Sequence, residues 1–166
     1  GWSSVHSVLE ENEFWEKIKI TSKSKAKRMK NVQLVSELLL IIIDNKIVGF
    51  DQDYLDERYA ELDSLEDNTD FDLDGYSTQK TKVKKFISEM EDHNKCISIH
   101  AKTANNIYTL FALISLETID CTASELAVKY DEFMNIVDSF RNGELSPEQN
   151  LEENAKPLNW DNAYKY

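Results

Sequence analysis

The chain has 166 residues, of which 41% are hydrophobic and 30% are charged. This composition is typical of one water-soluble globular domain, and it excludes a fibre, a disordered tail and a membrane protein. The 31 acidic residues outnumber the 19 basic ones, which gives a net charge of −12 at pH 7. General nucleic-acid binding is disfavoured, because such a charge repels phosphates unless the basic residues gather on one face.

Two cysteines, Cys96 and Cys121, are too few for a disulfide framework, so we expect a reducing, cytoplasmic compartment. The longest aliphatic run, 38–43, is far shorter than the ~18 residues that cross a bilayer. The amino terminus also lacks the basic-then-apolar pattern of a secretory signal. We therefore predict no membrane partner.

Helix-breaking residues are rare along most of the chain. It contains four glycines and two prolines, and both prolines, Pro147 and Pro157, lie near the carboxyl end. This distribution predicts an all-α fold, an irregular bundle of about five to seven helices. We assign the helical domain to 1–145 and a polar carboxyl-terminal extension to 146–166.

The first predicted helix covers 3–18, where apolar residues recur at helical spacing. The overlapping segment 17–30 carries seven positive charges and no acid, and it precedes Asn31, which we predict to cap an apolar core helix. This basic run is the candidate phosphate-binding stripe, with the contact residues Lys27, Arg28 and Lys30. For the charge run alone we favour a solvated linker before the buried helix, or an intramolecular partner for the acidic segment 51–74.

The acidic segment 51–74 contains eleven acids and one base. Its apolar spacing predicts a helix up to about residue 65, followed by an acidic loop. Asp70, Asp72, Asp74 and Gly75 match the start of a calcium-binding loop, but Thr81 stands where that loop needs a glutamate. We favour a surface loop, with a calcium-responsive protein as an alternative hypothesis.

Three further helices are predicted after this segment. Ser77 is the expected cap of the first, which has an apolar inner stripe and a basic outer face. The second runs over 97–119, and the third starts at the capping-box pair Thr122 and Glu125 and stops at Gly143. The outer lysines are Lys80, Lys82, Lys84 and Lys85.

Motifs of catalysis and metal binding are sparse. His93, Cys96 and His100 would share one face of a continuous helix and could hold zinc, but core or surface placement is the favoured interpretation. We therefore predict no catalytic residue, no metal site and no cofactor. The predicted core comprises Val32, Leu34, Val35, Leu38, Ile107, Leu110, Phe111, Ile114, Phe133, Met134 and Val137.

Two stretches carry a family resemblance. Residues 27–39 read KRMKNVQLVSELL and residues 106–113 read NIYTLFAL. Both resemble the helical part of the GmrSD-type restriction endonuclease amino-terminal family, across about residues 1–145. Members of that family join a ParB/sulfiredoxin-like core to a helical subdomain and act in bacterial defence against modified phage DNA. The Asp-Gly-Gln-Gln-Arg-like catalytic segment of the family has no counterpart here, so no catalytic residue is carried over.

The resemblance implies a non-catalytic helical subdomain that packs on or regulates a nuclease core absent from this chain. Its partner would then be the rest of its parent chain or another protein, and nucleic acid would be reached only through the parent. The alternative is a stand-alone helical protein-protein interaction module, whose apolar face binds a partner helix.

Overall fold

The computed structural model describes residues 12–21, 25–49, 51–64 and 71–143. Within these ranges the secondary structure consists of seven helices and no strand, which confirms the predicted all-α fold. The extension predicted at 146–166 and the first turns of the helix predicted at 3–18 lie outside the described residues. The helices are α1 (Asn12–Lys17), α2 (Lys25–Asp44), α3 (Gln52–Ser64), α4 (Leu73–Asn94), α5 (Cys96–His100), α6 (Ala104–Ser115) and α7 (Ala123–Arg141).

The chain divides into two compact units, 1–130 and 131–166. In the second unit the described part is the distal half of α7 and the turn after it. That turn ends at Gly143, whose φ of +71° is the left-handed conformation typical of a helix stop. Met134 is buried here as predicted, whereas Phe133 and Val137 are only half-buried.

The main core of the first unit lies where α2, α4 and α6 pack together. Six of the predicted core residues are buried there: Val35, Leu38, Ile107, Leu110, Phe111 and Ile114. Leu34 is half-buried, and Val32 is 38% exposed, so its assignment to the core is wrong. Helix α2 begins at Lys25 rather than after Asn31, and its continuous buried stretch starts only at Val35, nearly one turn after Val32.

The second half of α2 is buried on all sides. Leu38, Leu39 and Ile41 belong to the main core, while Leu40 packs with Leu55 and Leu62 of α3 in a smaller cluster. An apolar run that is buried all round needs neighbours on every face, and α3 supplies the face opposite α6 and α4. The predicted apolar core helix is therefore confirmed over this run.

A polar clamp joins the carboxyl end of α2 to α3. The Tyr54 hydroxyl donates to the Asp44 carboxylate at 2.7 Å, and the Arg58 guanidinium donates to both carboxylate oxygens. Burial opposes ionisation of Asp44, but the hydrogen bonds from Arg58 and Tyr54 outweigh it and lower the pKa of this carboxyl. The clamp therefore holds an ionised aspartate at a largely buried position.

The acidic segment does not form a calcium loop over the described positions 71–81. Instead, Asp72 is the N-cap of α4, and its carboxylate accepts a hydrogen bond from the Gly75 amide at 2.9 Å. Helix α4 starts at Leu73, four residues before the predicted cap Ser77. Because the backbone is helical from Leu73 onward, its carbonyl oxygens cannot face an ion as a calcium loop requires.

The helix predicted over 97–119 is two helices, α5 and α6, separated by 101–103. Lys95 has a φ of +60°, which ends α4, and Thr103 caps α6 by accepting from the Asn106 amide at 3.3 Å. His93 is therefore exposed at the end of α4, whereas Cys96 and His100 are buried in α5. The continuous helix that would align them for zinc does not exist.

A buried carboxylate stabilises the start of α5. Glu91 of α4 is 2% exposed and accepts hydrogen bonds from the Ser98 amide at 3.0 Å and the Ser98 hydroxyl at 2.5 Å. Asn94 accepts from the Cys96 amide and donates to the Ala127 carbonyl of α7. Two of the free amides at the start of this short helix are thus satisfied by the preceding helix.

The amino terminus of α7 carries the predicted capping box. The Thr122 hydroxyl accepts from the Glu125 amide at 3.2 Å, and the Glu125 carboxylate accepts from the Thr122 amide at 2.9 Å. This reciprocal pair holds the pKa of Glu125 below its usual value.

Candidate functional site

The sequence-predicted contact residues lie in the first two turns of α2. The backbones of Lys27 and Arg28 are helical, their side chains lie outside what the structure describes, and Lys30 is exposed. No acid occurs in the first turn, so cationic residues stand at the positive end of the helix dipole. Phosphate binding by these residues stays a prediction.

A second basic surface lies between α1 and α4, and we call it the basic groove. It is an open groove of about 360 Å³. Lysines and hydroxyl groups from two turns of α4 form one wall, and an aromatic ring from α1 forms the other. The lining residues are Phe14, Lys80, Thr81, Lys84, Lys85 and Ser88.

Helix periodicity explains why these lysines line one groove. Val83 and Ile87 point into the core, and Lys80, Lys84 and Ser88 recur at intervals of four residues, so they fall together on one flank of α4. Lys80 and Lys84 are one turn apart on this flank, and both are half-buried. The two side chains therefore lie on the same flank, about one helical turn apart.

Aromatic rings fix the lysine side chains further. The Lys84 Nζ atom lies 5.0 Å from the centroid of the Phe14 ring, and the Lys80 Nζ atom lies 5.6 Å from that of Tyr76. Both distances are within the range of a cation-π interaction.

The α1 wall is anchored in the core rather than resting loosely on α4. Trp15 and Ile18 are almost completely buried, and the Trp15 ring lies 6.3 Å from that of Phe111 in α6. An exposed ion pair between Lys17 and Asp92, at 2.9 Å, joins α1 to α4. The anchoring of Trp15 sets the position of its neighbour Phe14, whose ring packs edge-on against it at 4.9 Å.

Among the described residues that line the basic groove, none carries an acidic side chain. Lys85 pairs loosely with Glu89, at 3.9 Å between exposed groups, and Lys82 pairs with Glu117 on the other flank of α4. Three lysines and two hydroxyl-bearing residues line this single concave surface. This arrangement can bind closely spaced carboxylates or another multivalent anion.

Among the described residues, no group of three or more histidine, cysteine, aspartate or glutamate side chains could hold a metal ion. None of the helices in the described part of the chain is long and apolar enough to cross a membrane. The basic face of α4 was visible in the sequence. The pairing of that face with Phe14 was not, because it depends on tertiary contacts between segments far apart in the chain.

Comparisons with known proteins gave no relative for this chain. No family model, no curated protein and no solved structure matches it.

Proposed function

We propose that this chain is a non-catalytic helical interaction module that binds an acidic segment of a partner protein in the basic groove. The observation that carries the proposal is the alignment of Lys80, Lys84 and Lys85 opposite Phe14, on a protein whose net charge is −12. A local concentration of positive charge is felt at short range, because salt screens more distant charges within about 8–10 Å. The acidic residues elsewhere on the chain therefore weaken the positive potential of the basic groove only slightly.

Carboxylates of a polypeptide fit the groove better than a nucleic-acid strand does. From Lys80 to Ser88 the wall is about 12 Å long at the helical rise of ~1.5 Å per residue. Carboxylates one turn apart on a partner helix would match Lys80 and Lys84. Proteins that hold single-stranded nucleic acid stack successive bases on several aromatic rings. Phe14 is the one aromatic ring among the described lining residues, and Lys84 already lies against it.

Binding of a fluorescent oligo-glutamate peptide, followed by fluorescence anisotropy, tests the proposal. The variant carries Lys84→Gln and Lys85→Gln, which remove two groove charges. Exposed charge pairs contribute about 0.2–1 kcal/mol each, so we expect the double variant to bind about 2- to 30-fold more weakly. The affinity of the unmodified protein should also fall as the salt concentration rises.

The matched control carries Lys102→Gln and Lys129→Gln, which remove the same charge from exposed positions outside the groove. This control should bind the peptide as the unmodified protein does. Equal weakening in both double variants would mean that binding follows net charge alone, and the groove assignment would then be wrong. An oligonucleotide that binds more tightly than the peptide would also overturn the proposal.

The family resemblance suggests where such a partner segment would come from. In a GmrSD-like protein it would belong to the rest of the parent chain or to an associated protein. Membership of that restriction family stays a prediction, because the comparisons matched none of its members. Recovery of a longer native chain that carries the family's catalytic segment would support it.

A further inference from the structure

The opposite flank of α4 forms a second concave surface, which we call the apolar groove. It has a volume of about 470 Å³ and lies between α4 and the connection from α6 to α7. Its floor is apolar, with Val83 and Ile114 buried and Phe86, Ile119 and Cys121 half-buried. The volume falls in the range of ~300–1,000 Å³ that is typical of small-molecule sites.

Most polar groups at the rim of the apolar groove already have partners. The Gln79 amide donates to the Ser115 carbonyl at 2.9 Å, the Thr118 hydroxyl donates to the Leu113 carbonyl at 3.0 Å, and Lys82 pairs with Glu117. Asp120 lines the same groove and is exposed. Among the described residues it accepts no hydrogen bond and joins no ion pair.

We propose that the apolar groove binds a small amphiphilic amine, with its apolar body on the floor and its ammonium group at Asp120. The floor can take up aromatic or aliphatic surface, which is the main source of affinity. Asp120 then selects a cation over a neutral or anionic molecule of the same size. This site is independent of the basic groove on the other flank of α4.

Cys121 provides a direct test, because its thiol lines the groove. The other cysteine, Cys96, is 0% exposed and is an internal reference. The rate of Cys121 alkylation by iodoacetamide is measured by peptide mass spectrometry, with 2-phenylethylamine as the probe. The comparison compounds are 2-phenylethanol and phenylacetate. At the amine concentration that fills half of the sites, alkylation should become about two-fold slower.

The variant Asp120→Asn should weaken protection by the amine about two- to five-fold, as expected for an exposed charge pair. The control Asp53→Asn, at an exposed position on α3, should leave protection unchanged. Equal protection by the amine and by phenylacetate would overturn the proposal. The proposal would also be overturned if the amine protected Cys121 of Asp120→Asn from alkylation as well as it protects the unmodified protein. It would fail too if the amine gave no protection at any concentration that leaves the protein folded.

Discussion

Two tyrosines of nearly equal burial should respond in opposite ways to the same substitution. Tyr108 and Tyr76 are 7% and 6% exposed. The Tyr108 hydroxyl accepts hydrogen bonds from the Val48 amide at 3.2 Å and the Gly49 amide at 3.0 Å, which join α6 to the segment after α2. The Tyr76 hydroxyl is buried and has no hydrogen-bond partner among the described residues. Replacement by phenylalanine removes one oxygen atom in each case.

For Tyr108→Phe we expect the free energy of unfolding to fall by about 1–3 kcal/mol, because two hydrogen bonds worth ~0.5–1.5 kcal/mol each are lost. For Tyr76→Phe we expect no loss and a gain of up to about 1 kcal/mol, since an unsatisfied buried hydroxyl is removed. A separation of 2 kcal/mol between the variants, taken as an order of magnitude, corresponds to about 4–8 °C in melting temperature for a chain of this size.

Urea denaturation followed by circular dichroism would measure both variants, and an unchanged m-value would indicate that the same surface is exposed on unfolding. Equal shifts for Tyr108→Phe and Tyr76→Phe would refute the reasoning, because the recorded hydrogen bonds would then carry no net free energy. A Tyr108→Phe variant as stable as the unmodified protein would refute it as well.

Four further outcomes follow from the packing, the helix caps and the buried tyrosines. Phe111→Ala should lower the free energy of unfolding by about 3–5 kcal/mol in a denaturant titration. Leu113→Ala, two residues further along α6 at a position that is 37% exposed, should lower it far less. Similar losses for the two variants would contradict the assigned core face. Asp72→Ala should lower the free energy of unfolding by about 1 kcal/mol, because the N-cap of α4 is lost. Millimolar calcium should leave the melting temperature unchanged, and a rise would reinstate the calcium loop. Burial raises the pKa of Tyr59 and of Tyr76 from 10.0 to about 12. As the pH rises, these tyrosines lose their protons in the unfolded chain before they lose them in the folded protein. Their contribution to the free energy of unfolding is therefore full below pH 10 and should fall between pH 10 and 12. Tyr76→Phe should make that decline shallower in stability measurements across this interval.

Local signals in the sequence predicted some features correctly. The capping box at Thr122 and Glu125 and the stop at Gly143 were placed correctly, because such motifs act within one helical turn. The start of α2 was misplaced because Asn31 is a good cap by residue type, yet the basic residues before it also favour a helix. The cap of α4 was likewise predicted at Ser77 instead of Asp72, because both residue types are good N-caps.

Features that depend on tertiary contacts could not be predicted from the sequence. The break between α5 and α6 follows no proline or glycine, and the Glu91 carboxylate that holds α5 lies in the preceding helix. The basic groove needs Phe14, which lies more than sixty positions before the lysines that it faces. The side chains of Lys27 and Arg28 lie outside the described residues, so the predicted stripe and the basic groove are separate hypotheses.

The buried Glu91 carboxylate has a consequence for how the protein opens. A helix of five residues such as α5 is too short to persist in water on its own. Because its Ser98 amide depends on a side chain of α4, α5 can form only while the end of α4 is in place. In native-state hydrogen exchange, the Ser98 amide should therefore become accessible in the same opening event as the last turn of α4. Glu91→Gln should speed the exchange of both.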